Sequence, residues 1–127
     1  MKKIILALAV SSVFAFASET TVNATMSLMT QGMNQVQNGF LYSDKKTIAE
    51  GIKTIESANS IFTKVDVSTF IKNNSKIQVT KNINKHLTAD LKAFKKAVKS
   101  ENYTDATKQY GKVLANCIAC HKIIRGW

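Results

Sequence analysis

Both cysteines of the chain and one of its two histidines stand together in Cys117-Ile118-Ala119-Cys120-His121, six residues from the C-terminus. C-x-x-C-H is the spacing of a c-type haem attachment site. Each thiol adds to one vinyl group of the porphyrin and becomes a thioether. Two intervening residues let the sulfurs reach neighbouring edges of the ring. A histidine directly after the second cysteine then comes under the iron as the proximal ligand. Other chemistries use the same pair. A thioredoxin-like C-x-x-C belongs to a βαβ context, and the chain shows no such pattern. A structural zinc site wants four ligands with a second pair, and only His86 remains to help. A plain disulfide is the remaining rival, and the adjacent histidine favours haem.

Helices must position these groups. The chain has no proline and five glycines, and its apolar residues recur at helical spacing. A first helix is expected from about Glu19 to Phe40, with Val22, Met26, Met29, Met33, Val36 and Phe40 as its seam. A second begins after Ser43 or Asp44, either a good cap, and fades near Lys64. Its stripe is Ile48, Ile52, Ile55 and Phe62, with Ala58 and Ile61 flanking. Residues 65–80 are the least regular. Asn73-Asn74-Ser75 reads as a turn or loop, and Val67, Phe70, Ile71 and Ile77 should pack on the helices. A third helix is expected from about Lys81 to Lys99, carrying Ile83, Leu87, Leu91, Phe94 and Val98. A fourth runs from about Thr104 to Ile124, with Ala106, Tyr110, Val113, Cys117, Cys120 and Ile124 on its seam. The expected fold is an all-α, antiparallel up-down-up-down four-helix bundle, with haem near its C-terminal end and the cysteines turned into the core.

The N-terminus reads as an export signal. Lys2 and Lys3 form a positive start, Ile4 to Phe16 an apolar run, and Ala15-Phe16-Ala17 an A-x-A cleavage site. Residues 1–17 are thus the expected signal peptide and residues 18–127 the domain. The run is too short for a confident membrane span, so no span is expected after cleavage. Covalent haem attachment occurs outside the cytoplasm, which makes the periplasm the expected location. The formal net charge is +10, and losing Lys2 and Lys3 lowers it to +8. The lysines are scattered as a solvated face, and a basic protein can be steered to an acidic partner. Nucleic acid is not an expected partner, because no binding motif is present.

The chain resembles the class II cytochromes c, the cytochrome c′ family, over essentially residues 18–127. Tyr110-Gly111 stands shortly before the haem motif and Arg125 four residues after His121, as the family's aromatic-glycine pair and arginine do. Ser100-Glu101-Asn102-Tyr103-Thr104-Asp105 looks like the family's turn into its last helix. The resemblance implies Cys117 and Cys120 as thioethers, His121 as proximal ligand, and Tyr110 and Arg125 in the haem surroundings. It also implies two possible functions. Low-spin members place a helix-one methionine on the iron and transfer electrons. High-spin members leave that position open and bind nitric oxide or carbon monoxide. The family's arginine on helix one, one turn before the distal residue, is replaced here by Val22, which leaves propionate pairing to a lysine or to Arg125. Members often dimerise through their first two helices, which exposed residues such as Leu41 would permit.

Geometry bears on the distal ligand separately. In an antiparallel bundle His121, about four residues before the end of helix four, stands level with residues near 23 to 27 of helix one at about 1.5 Å per residue. Met26 fits that level, and the resemblance places the family's distal residue on it too. Met29, one turn on, is the next candidate. Met33, about 10 Å along the axis from Met26, should be too far. All three could instead be soft core filler. His86 lies about 100° from the centre of its helix's apolar stripe and reads as a surface residue. The expectation is therefore a periplasmic electron carrier, not an enzyme, with one haem c ligated by His121 and Met26 and meeting acidic redox partners transiently.

Overall fold

The computed structural model describes the backbone of residues 2–126 and the side chains of residues 19–126. The side chains of the expected signal peptide, residues 1–17, lie outside the described residues. Four helices make up the chain: α1 (Lys2–Leu41), α2 (Lys45–Phe62), α3 (Asn74–Lys99) and α4 (Tyr103–Arg125). A short 3-10 turn, Val67–Thr69, stands between α2 and α3. There is no strand among the described residues, and none of their helices is long and apolar enough to cross a membrane.

Side-chain caps set the helix starts. Asp44 accepts from the backbone amides of Lys46 and Thr47 at 3.0 and 3.1 Å, and its second oxygen accepts from the Thr47 hydroxyl at 2.7 Å. Asn102 accepts from the Asp105 amide at 3.0 Å. Each cap satisfies amide groups that a first helical turn leaves without partners. Asn73 does the same for Ser75 and Lys76. That cap corrects the expected third helix, which starts at Asn74 instead of about Lys81. An Asn-Asn-Ser run that reads as a loop is here a helix start. α1 also begins earlier than the expected Glu19.

Packing divides the helices into pairs. α1 lies along α2 and α3 along α4, while α2 and α3 meet over a smaller seam. Gly32, Gly39 and Gly51 are buried where α1 meets α2. A Cβ on Gly51 would stand 2.7 Å from the Gly32 carbonyl oxygen and 2.8 Å from the Val36 amide nitrogen. Only hydrogen side chains permit that approach of backbone to backbone. The main core joins Val36, Ile48, Ile52 and Ile55 to Leu87, Leu91, Phe94, Ala106 and Val113. A second cluster gathers Met29, Ala58, Phe62, Val67 and Ile71, with Val22, Met26, Phe70 and Ile77 packed against it. The irregular stretch thus caps the helices with its apolar side chains, as expected. Ile61 and Ile124 differ from expectation: both are exposed at 41% and 36%.

Gly51→Ala should lower stability by roughly 1–2 kcal/mol. The crowding of two backbones outweighs the roughly 1 kcal/mol that alanine gains in a helix. Gly111, exposed with nothing within 4 Å of its would-be Cβ, should show the opposite sign. Gly111→Ala should gain about 0.5–1 kcal/mol. Thermal unfolding followed by circular dichroism tests both; a rise in melting temperature for Gly51→Ala would contradict the close approach.

Candidate cofactor site

Cys117, Cys120 and His121 all lie within α4. Spacings of three and four residues place them on one arc of about 100° around the helix. No capping or loop residue intervenes, so the three groups are held by the backbone hydrogen bonds of one turn.

α4 packs on α3 but not extensively on α1. Between α1 and α4 a cavity of about 340 Å³ opens, within the range of about 300–1,000 Å³ common for cofactor sites. α4 contributes Tyr110, Leu114, Ile118 and all three motif groups. α1 contributes Met26, Met29 and Met33, with Thr30, Asn34 and Gln37 beside them. Phe62, Ile83 and Leu87 add apolar surface from α2 and α3. Tyr110 carries an aromatic cluster to the cavity's edge. Its ring centroid is 5.9 Å from Phe40 and 6.2 Å from Phe94, which are 6.1 Å from each other. These rings tie α1, α3 and α4 together beside the opening.

Polar side chains fix two of the walls. The Asn116 amide donates to Asp90 at 2.7 Å and to the Lys112 carbonyl at 3.1 Å, anchoring α4 to α3 one residue before Cys117. Asn84 donates to Asn59 at 3.1 Å, and buried Asn59 donates to the Thr88 hydroxyl at 2.8 Å. That chain crosses the seam between α2 and α3.

Burial sets the protonation of the motif. Desolvation pushes the Cys120 thiol up to about 11, with Cys117 adding to the rise. The Cys117 thiol is raised too, again mainly by burial. Neither cysteine is in a disulfide. His121 is lowered from its ordinary value by burial first and by the Arg125 charge second. Its imidazole is therefore neutral at pH 7 and keeps a lone pair for a metal. Tyr110 is raised, chiefly by burial.

The cavity brings together Cys117, Cys120, His121, Tyr110, Met26 and Met29, as the sequence leads one to expect. Met33 lines the same cavity. Arg125 is exposed and does not line it, and its charge acts on His121. One expectation needs correction: the cysteines are half-buried on the cavity wall, not enclosed in the core. His86 is exposed, in keeping with a surface role. The polar linings Asn84, Asn116, Thr30, Asn34 and Gln37 escaped the sequence reading. Nothing in apolar periodicity marks a neutral polar residue as part of a cavity. No family model, no curated protein and no solved structure matches the chain.

The thiol shifts predict a pH dependence of the polypeptide without cofactor. A thiol whose folded value lies above its unfolded one near 9 stabilises the fold below pH 9. That contribution is lost as pH rises from about 9 toward 11. His121, shifted the other way, stabilises above its unfolded value near 6.5 and loses that contribution as pH falls below it. Alkylation of Cys120 by iodoacetamide, followed by mass spectrometry, should have its midpoint near pH 11. A midpoint near 9, the ordinary value from which burial raises it, would place the sulfur in water.

Proposed function

We propose that this chain is an electron-transfer protein holding one covalently attached haem c, exported to the periplasm as residues 18–127. The observation that carries the reading is the single cavity that joins both thiols, the imidazole and the helix-one methionines. The four-helix fold supports the finer architecture as well, an antiparallel up-down-up-down bundle with the cofactor near the end of α4. The donor set favours iron in a macrocycle over a bare ion. Among the described residues no group of three or more His, Cys, Asp and Glu could hold a metal by itself.

Each residue has a distinct part. Cys117 and Cys120 hold the cofactor through thioethers, so it stays bound in both oxidation states. His121 provides the proximal nitrogen, kept neutral by its desolvated position. Met26 provides the distal sulfur, with Met29 as the next candidate. Tyr110, Ile83 and Leu87 line the cavity and would exclude water from a group held there. When bound, the haem supplies a one-electron ferric/ferrous couple, and a sulfur ligand raises its potential. No side chain has to act as acid, base or nucleophile in turnover.

The mature protein should be coloured, and its mass should exceed that of the polypeptide by one haem. Sharp, split bands in the reduced visible spectrum are expected for iron with ligands on both faces. A single broad band would instead favour an open sixth position and a gas-binding role. Met26→Ala should convert the iron to high spin and admit carbon monoxide; an unchanged spectrum would move the distal ligand elsewhere. Cys117→Ser with Cys120→Ser should leave a colourless chain that melts at a lower temperature than the haem-loaded protein, because a domain this small loses part of its core. An unchanged melting temperature by circular dichroism would contradict that.

A further inference from the structure

A second cavity, of about 500 Å³, opens between α3 and the stretch that leaves α2. Its floor is hydrocarbon: Phe62 and Val67 are buried, with Val65 half-buried beside them. The neutral polar side chains on its wall are spent, except one. The Thr63 hydroxyl donates to the Ser60 carbonyl, Asn84 to Asn59, and the Thr88 hydroxyl to the Asn84 carbonyl. Thr80 is entirely buried, and its hydroxyl has no hydrogen-bond partner. Other helical threonines solve that problem within their own helix. Thr25, Thr30, Thr54, Thr88 and Thr107 each donate to the carbonyl four residues earlier. A buried hydroxyl without a partner is costly, and a ligand that accepts from it removes the cost. Lys81, Lys85 and Lys92 stand around the same cavity. Spacings of four and seven residues put them within about 40° of one another on α3. All three are exposed, and none forms an ion pair among the described residues. No carboxylate among the described residues lines the cavity. Asp66 feels the Lys81 charge, but it accepts from the Ser68 amide and hydroxyl at 3.0 and 2.7 Å.

We propose that this cavity binds a medium-chain fatty acid, its carboxylate accepting from Thr80 beside Lys81 and Lys85 and its acyl chain lying on Phe62, Val65 and Val67. The lining selects that class. An orphan donor next to unpaired cations calls for an acceptor that carries negative charge. An apolar floor calls for hydrocarbon, which a small inorganic anion does not bring. The α3 wall runs from Thr80 to Lys92, about 18 Å of helix, which suits an extended chain better than a compact ring. Lysine stems add hydrocarbon below their charged heads. The proposal does not depend on what fills the first cavity. Phe62 and Asn84 line both cavities, whereas Thr80, Lys81 and Lys85 line only the second. Substitutions at those three positions therefore report on this site alone.

Isothermal titration calorimetry of decanoate into the purified protein tests this. Thr80→Val should weaken binding by about threefold to tenfold, the loss of one hydrogen bond. Without ligand, the same substitution should raise the melting temperature, because a buried orphan hydroxyl is gone. Thr80→Ser keeps the hydroxyl and should bind decanoate as the unaltered protein does. Lys81→Gln with Lys85→Gln should weaken binding roughly tenfold at about 0.01 M ionic strength, and about 1 M salt should erase the difference. 1-Decanol, the same chain without the charge, should bind far more weakly. Equal binding of decanol and decanoate overturns the proposal, because an apolar patch alone would then suffice. A lowered melting temperature for Thr80→Val also overturns it, because the hydroxyl would then have a partner within the fold. Sedimentation with phosphatidylglycerol vesicles that depends on Lys81 and Lys85, with decanoate binding indifferent to both, overturns it in favour of a membrane surface.

Discussion

Backbone contact between α1 and α2 is the constraint from which the rest follows. Gly32 and Gly51 allow the two helices to approach until a carbonyl of one lies where a side chain of the other would be. A contact that close commits the C-terminal part of α1, around Gly32 to Gly39, to α2. α4 is committed in the same way to α3, through Phe94, Ala106 and Val113 and through the Asn116–Asp90 bond. With both helices engaged on one side, α1 and α4 do not close on each other, and the cavity lies between them. The aromatic cluster of Phe40, Phe94 and Tyr110 joins the two helix pairs at one edge of it.

That spacing decides the chemistry available to the motif. Thiols and imidazole on a solvated helix face would titrate near their free values. On the wall of an apolar cleft their charged forms are disfavoured, so all three are neutral at pH 7. Neutral thiols are poor nucleophiles toward adventitious electrophiles. A neutral imidazole is a ready metal ligand. The same burial thus protects the cysteines and prepares the histidine. The methionines opposite are unbranched and polarisable, able to turn toward a metal or to fill the space beside it.

Much of this is legible in the residues themselves. Helical spacing identifies α2 and α4 to within a few residues, and C-x-x-C-H marks three of the groups that line the cavity. The failures have physical causes. Asn73 looks like a turn residue because the side chain that closes a turn is also the one that caps a helix. Ile124 fits the apolar seam of α4 by spacing, yet it is 36% exposed. The polar lining is invisible to periodicity. Asn84 faces the cavity because Asn59 and Thr88 organise its amide across another helix, a relation between residues 25 positions apart.

The seam between α2 and α3 has a mechanical consequence. It is the smaller of the helix contacts, and it carries the hydrogen-bonded Asn59, Asn84 and Thr88 beside its apolar residues. Polar groups that have partners across a narrow seam can trade them for water at little cost. The two helix pairs are therefore joined like the covers of a book along a soft spine, with the cavity at the open edge. Breathing of the molecule should concentrate there, so that the width of the cleft is set by a hinge on its far side rather than by the walls themselves.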